Sequence, residues 1–242
     1  MVRSRLEEYM AEKLSDADLL TQAVERYRDG LYRSGAVLVA TDGEQLFGLR
    51  SGGESWVYVD HGELMTKPEH FRPFVTALAL QIRQLFDPEK VVLLNVLSKC
   101  SPQMTGAVAY SGEFRQIGVL SDAVAEAEKG TRRGLRVPKD IGVGDTLVFL
   151  DDVLTTGKTV VETMTRVRNG LVERLGEVAG EMQVHLLVGL ARNPEKATND
   201  LLGYGIQPHW LTTLDEVIRQ CWPALTSVQQ NGLKREFGNL ET

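Results

Sequence analysis

The residues of this chain best placed to do chemistry are two adjacent acids, Asp151 and Asp152, which end the apolar run TLVFL (146–150). Val153 and Leu154 follow, and then Thr155, Thr156, Gly157, Lys158 and Thr159. The apolar run reads as a strand, and the loop that leaves it opens a helix over 158–175. Loops at the carboxyl edge of a parallel sheet are where ligands collect in open α/β folds. Small hydroxyl residues there offer backbone N–H groups, hydroxyls and a helix N-terminus to a phosphate. Gly157 lets the backbone come close to that phosphate with no Cβ between them. Carboxylates, in turn, accept hydrogen bonds from vicinal hydroxyls. Acids and loop together suit a ligand with a diol a few ångströms from a phosphate, which describes a ribose 5-phosphate unit.

Gly157-Lys158-Thr159 also ends like the G-x-x-x-x-G-K-T loop of nucleotide triphosphatases. The first glycine of that loop would stand at position 152, which is Asp. A carboxylate there would face the phosphates that the loop has to wrap, so that reading is rejected.

The elements that must position these residues are readable from the pattern. Residues 5–29 carry apolar side chains at three- and four-residue steps, as one helix or two with a break near Ser15-Asp16, closed by Gly30. AVLVA (36–40), the turn Thr41-Asp42-Gly43 and EQLFGL (44–49) read as a hairpin, because Asp-Gly supplies a residue with φ > 0. Ser51-Gly52-Gly53 makes a second turn before the alternating strand SWVYVD (55–60). From Pro68 to Phe86 the spacing predicts a helix with proline at its first position. VVLLNVL (91–97) reads as a strand buried on both faces, and FRQIGVL (114–120) and HLLVGL (185–190) as further strands. The tail alternates short helices with the extended HWLTT (209–213). Strands alternating with helices predict an α/β fold with a mainly parallel sheet flanked by helices. The division expected is an N-terminal α+β hood of helix and hairpin (1–67) packed on an α/β core (68–242), in one compact domain.

The segment 121–145 has no steady period, holds five Gly or Pro breakers and gathers Lys129, Arg132, Arg133, Arg136 and Lys139. A long loop in a compact domain tends to be functional, and this one reads as a mobile lid bringing cations to an anionic substrate.

The chain has 242 residues, 43% hydrophobic and 25% charged, which excludes a disordered chain, a fibrous repeat and a disulfide scaffold. Its net charge of -6 argues against tracking nucleic-acid phosphates. Cys100 and Cys221 have no metal-ligand spacing and are expected as reduced thiols, with no metal held by protein residues alone. The N-terminal stretch has no apolar signal-like core, and no run approaches ~18 apolar residues. The expectation is a cytoplasmic protein without a membrane span.

The segment 146–159 closely resembles the phosphoribosyl pyrophosphate (PRPP) signature of type I phosphoribosyltransferases: apolar residues, two acids, two apolar residues, then Thr-Thr-Gly-x-Thr. Other segments resemble orotate phosphoribosyltransferase. FGLRSGGESWVYVDHGELMTKP (47–68) is similar to that family's hairpin motif, with Arg50, Ser51, Gly52, Ser55, Tyr58 and Asp60 at the matching positions. SKCSP (98–102) is similar to its pyrophosphate loop, and HLLVGLARNP (185–194) to the strand ending in a base-binding arginine. Two departures stand out. Cys100 replaces a glycine whose absence restricts that loop, and no histidine lies between 71 and 184, where the family's Lys-x-x-Lys-x-His loop would fall.

The resemblance implies transfer of phosphoribosyl from PRPP to orotate, giving orotidine 5'-monophosphate and pyrophosphate. It implies that Asp151, Asp152, Thr155, Thr156, Gly157, Lys158, Thr159 and Lys99 bind PRPP. Arg50, Tyr58 (or Trp56 in its place) and Arg192 would meet the base, Arg192 through its carboxylate. Lys99, Lys129 and Arg132 would offset leaving-group charge beside the two acids, with Mg²⁺ held mainly through PRPP and waters. A homodimer is implied as well. Two further readings stand beside this one: a type I transferase for another base, and a non-catalytic PRPP-binding regulator.

Overall fold

A computed structural model describes residues 15–49, 52–117 and 141–238. Helix α1 (Asp16–Arg33) starts where the break was expected, because Ser15 caps it reciprocally with Asp18. It runs on through Gly30 instead of closing there. Gly30 faces α3 (Pro68–Leu85), and a Cβ on it would sit 3.3 Å from His70 Cβ.

The hood strands pair differently from the expected hairpin. β1 (Val37–Val39) pairs antiparallel with β4 (Val57–Val59), while β2 (Phe47–Gly48) pairs with β3 (Glu54–Ser55). Gly43 is not among the glycines with positive φ, so the turn that would have folded 36–40 onto 44–49 is not made. Asp42 instead accepts from the Glu44 and Gln45 N–H groups, both at 3.0 Å, which turns the chain away locally. The left-handed glycines that do close a hairpin are Gly52 and Gly53, at φ 88° and 84°. The short helix α2 (His61–Met65) then leads into α3.

The core is a parallel sheet in the order β6-β5-β7-β8-β9, formed by β5 (Val91–Asn95), β6 (Arg115–Ile117), β7 (Thr146–Leu154), β8 (Gln183–Ala191) and β9 (Ile206–Thr213). The connecting helices are α4 (Ser101–Gly112), α5 (Lys158–Leu175) and α6 (Pro194–Leu202); α7 (Leu214–Cys221) and α8 (Ser227–Phe237) end the described chain. Val148 and Leu150 of β7 point into a cluster with Tyr27, Phe74, Leu78 and Met104 of α1, α3 and α4. Leu147 and Phe149 point the other way, against Val160, Met164, Val167 and Leu201 of α5 and α6. A strand covered by helices on both faces has to be apolar throughout, which is why β5 and the start of β7 show no polar alternation.

Two strands run longer than expected. β7 continues to Leu154, so Asp151 and Asp152 lie within the strand, not beyond it, and β8 extends to Ala191. Pairing of Val153 with Leu190 and Leu154 with Ala191 holds that extension. Most of the expected 121–145 lid, residues 121–140, lies outside the described residues. Its end is a tight turn in which Asp145 accepts from Gly142 N at 2.9 Å and pairs with Arg115 at 2.5 Å. Among the described residues no helix is long and apolar enough to cross a membrane.

Candidate active site

One cleft of about 330 Å³ collects most of the residues singled out above. Asp151, Asp152, Thr155, Thr156, Gly157, Lys158 and Thr159 line it, and so do Lys99, Tyr58 and Arg192. Arg50, Lys129 and Arg132 lie outside the described residues, so their expected roles have no structural account.

The loop from β7 to α5 takes its shape from Gly157, which caps α5 at φ 71°, a region that residues with a Cβ rarely enter. A Cβ there would also fall 2.7 Å from Leu201 Cδ2. The helix N-terminus therefore opens onto the cleft behind Thr155 and Thr156, with its first N–H groups unpaired inside the helix.

Asp151 is buried beside Asp152. Ser98 Oγ donates to Asp151 Oδ1 at 2.8 Å, and the Asp152 N–H donates to the same oxygen at 3.1 Å. Burial, and then the charge of Asp152, push the Asp151 carboxyl well above the usual carboxylate range, against the Ser98 bond. Asp152 is the more open of the two, with its side chain 22% exposed.

The loop after β5 is tied to β7 by hydroxyls that the spacing did not single out. Ser101 Oγ donates to Leu150 O and accepts from Val96 N, and Thr163 of α5 accepts from Leu97 N at 3.3 Å. Cys100 does not restrict this loop as expected. It has φ -93° and ψ -30°, ordinary right-handed values that a Cβ tolerates, and it heads α4. Burial, then the charge of Asp152 and a thiol hydrogen bond to it, push Cys100 up to about 12, so it stands as a thiol. Lys99, exposed, brings its Nζ to the hood side near Gly62 and Asp60.

Behind Asp152 lies a second layer that single-residue spacing could not reveal. Nε2 of fully buried His61 shares a hydrogen bond of 2.7 Å with the Tyr27 hydroxyl, while its Nδ1 stands 3.9 Å from Asp152 Oδ2. Among the described residues that Nδ1 has no hydrogen-bond partner. Burial lowers the pKa of His61, against the pull of Asp152 and Asp60.

Of the two aromatics that the hood offered, Tyr58 lines the cleft, and its alternation with buried Val57 and Val59 puts it there. Trp56 turns away and packs against α8, where a Cβ on Gly232 would meet its ring at 2.2 Å.

Arg192 leaves β8 beside Leu154, to whose carbonyl its N–H donates at 2.9 Å. Arg192 lines the cleft, and its guanidinium already has protein partners: Val57 O at 3.1 Å, Ser55 Oγ, and the carboxylate of Glu236 at 3.1 Å. Glu236 also accepts from Ser55 Oγ and from Trp56 N, each at 2.7 Å. No sequence signal pointed to Glu236, since it stands more than forty positions from Arg192 on the last described helix.

No protein-family model matches the sequence, and no curated protein matches it. Solved structures do. A UMP synthase from Leishmania donovani shares 21% identity at a TM-score of 0.67, over 89% of this chain and 42% of that one. This chain thus spans less than half the length of that protein. An orotate phosphoribosyltransferase from Aeropyrum pernix shares 21% identity at a TM-score of 0.59, over 81% of this chain and 97% of that one. An adenine phosphoribosyltransferase from Trypanosoma brucei, in complex with AMP, pyrophosphate and ribose-5-phosphate, shares 13% at a TM-score of 0.53, over 81% and 80%. These likenesses show the fold: the helix-flanked parallel sheet is that of type I phosphoribosyltransferases.

Proposed function

We propose that this chain transfers phosphoribosyl from PRPP to a ring nitrogen of a base and releases pyrophosphate. The observation that carries the reading is the acid pair of β7 running directly into the Thr155–Thr159 loop at the α5 N-terminus, in one cleft. Asp152, with Asp151 behind it, accepts the ribose diol, and the loop and helix N-terminus hold the 5-phosphate. Lys99 offsets charge on the pyrophosphate as the bond at C1' breaks through an oxocarbenium-like ribose. Catalysis on this reading is positioning and electrostatics, and the acids need not exchange protons with substrate.

Among the described residues no group of three or more His, Cys, Asp or Glu is disposed to hold a metal ion. The oxygen donors of Asp151 and Asp152 suit Mg²⁺, which commonly takes one or two carboxylates plus substrate phosphates and waters. Such an ion, when bound, neutralises pyrophosphate charge. A homodimer belongs to the proposal on the strength of the sequence resemblance, and a cytoplasmic location on the strength of the free thiols Cys100 and Cys221.

Orotate as the base is supported by the resemblance of the 47–68 and 185–194 segments and by the orotate phosphoribosyltransferases among the structural neighbours. A base without a carboxylate is supported by one observation, the Glu236 carboxylate on Arg192.

The test is calorimetric titration with Mg-PRPP together with pyrophosphate release over a panel of bases. PRPP binding that weakens about tenfold or more in Asp152→Asn supports the reading, a charge-assisted hydrogen bond being lost. Unchanged affinity in Asp151→Asn and Asp152→Asn overturns it. Tight PRPP binding with no pyrophosphate release for any base would point to a regulator.

A further inference from the structure

We infer that Glu236 determines which base this cleft accepts: by holding Arg192 it makes the ring end of the cleft a site for an uncharged base. The inference rests on the phosphoribosyl-transfer reading and goes on to the substrate class of that site.

Arg192 is a cation in the cleft wall, beside the end of β7. A guanidinium grips a ring carboxylate well when its N–H fork and its charge are both available. Here Glu236 answers the charge from behind, at 3.1 Å, with side chains 10% and 23% exposed for Arg192 and Glu236. Val57 O and Ser55 Oγ take further N–H groups of the fork. A ring carboxylate brought to this wall would meet a compensated arginine with a second carboxylate next to it. Like charges in a half-buried setting repel strongly.

Glu236 is not on a loose flap. Thr226 and Gln229 cap the start of α8 reciprocally, Gln229 Nε2 donates to Val39 O at 3.2 Å, and Leu233 is fully buried. Gly232 seats the helix against the Trp56 ring, and Glu236 itself accepts from Trp56 N and Ser55 Oγ. Moving it aside would leave that backbone N–H without its acceptor and the arginine without its counter-charge. Of the remaining cations described in the lining, Lys158 belongs to the phosphate loop and Lys99 brings its Nζ near Gly62 and Asp60. Tyr58 adds an aromatic side chain to the described lining, which suits a neutral ring.

The experiment titrates uracil, adenine, hypoxanthine and orotate into wild type and Glu236→Gln, with and without Mg-PRPP, and titrates Mg-PRPP alone. Gln keeps the shape and the acceptor for Trp56 N while removing the charge. The wild type should bind at least one neutral base about tenfold or more tightly than orotate, the scale of one charged hydrogen bond. Glu236→Gln should shift the ratio towards orotate by about the same factor and leave PRPP affinity unchanged. Wild-type preference for orotate, a ratio unmoved by Glu236→Gln, or no base bound by either protein overturns the inference. Loss of PRPP binding in the wild type overturns the phosphoribosyl reading instead, and the ratios measured without PRPP still decide between the bases. The wild-type ratio stands by itself if the variant does not fold.

Discussion

Asp151→Asn should make the protein more stable and worse at binding PRPP. Asp151 is a buried carboxyl whose ionisation is opposed first by burial and then by the charge of Asp152, so its ionised form costs folding free energy at neutral pH. Asn keeps an oxygen to accept from Ser98 Oγ and from Asp152 N, now at 2.8 and 3.1 Å. Its amide N–H group then faces a carboxylate where a like charge stood. Relieving one such buried repulsion is worth about 1–3 kcal/mol. For a chain of this size each kcal/mol raises Tm by about 2–4 °C, so a rise of about 2–12 °C is expected. The same change removes a charged acceptor from the ribose diol site, about 1.5–3 kcal/mol or roughly 10- to 150-fold in PRPP affinity. Scanning calorimetry and titration with Mg-PRPP at pH 7 measure the two effects. The sign of the pH dependence follows from the raised pKa. The native state holds this proton more tightly than the unfolded chain, so wild type regains stability as pH falls towards the native pKa, and the gap to the variant narrows at pH 5. A variant that melts lower at pH 7 and binds PRPP normally would refute the account of the acid pair.

Gly189→Ala should destabilise the fold by about 1–3 kcal/mol or more through overpacking, because its Cβ would lie 2.5 Å from the Tyr27 hydroxyl and 2.6 Å from the Phe74 ring. Chemical denaturation checks this, and an unchanged midpoint would sink it. Stability should also fall as pH drops from 6.5 towards 4, since burial, and then His209, lower His185 from 6.5 to about 4 and the unfolded chain takes up that proton first. Burial lowers His61 and His209 in the same direction. Melting curves across that range test the point, with His185→Gln expected to flatten the slope and a flat wild-type profile counting against it.

The parts of this molecule that announce themselves in sequence are those whose physics is local or periodic. The helix opening at Pro68 carries its own signal and lies where the pattern puts it, and the apolar run 91–97 forms a strand over Val91–Asn95. Asp42-Gly43 predicts a left-handed turn and a local hairpin, whereas the pairing is decided at longer range, where β1 joins β4. The acids read as the end of the strand because a charged pair interrupts the apolar run. Pairing with β8 carries the strand past them at the sheet edge where a ligand can share the charge. Arg192 follows β8 directly, as the sequence pattern has it. The partner of its side chain comes from a helix with no sequence link to it, and only the packing of Trp56 and Gly232 brings Glu236 there.

The same distant packing explains how a carboxylate pair is held in place on a strand. In the pairing of β7 with β8, Asp151 stands opposite Val188 and Val153 opposite Leu190, so Gly189 falls at the level of Asp152. The missing side chain of Gly189 is the space through which the Tyr27 hydroxyl of α1 enters, and that hydroxyl holds His61 by Nε2. His61 in turn presents Nδ1 towards Asp152 from 3.9 Å. When Tyr27 donates to Nε2, the neutral ring carries its proton on Nδ1 and offers Asp152 a dipole of favourable sign. Burial, which lowers the His61 pKa, favours that neutral ring. A charged histidine would pair more strongly with Asp152 and draw it away from a diol. A neutral one lends partial support and leaves the carboxylate oxygens able to accept from hydroxyls. The hood helix thus acts on the cleft from beneath, through a glycine whose lack of a Cβ the strand pattern alone does not explain.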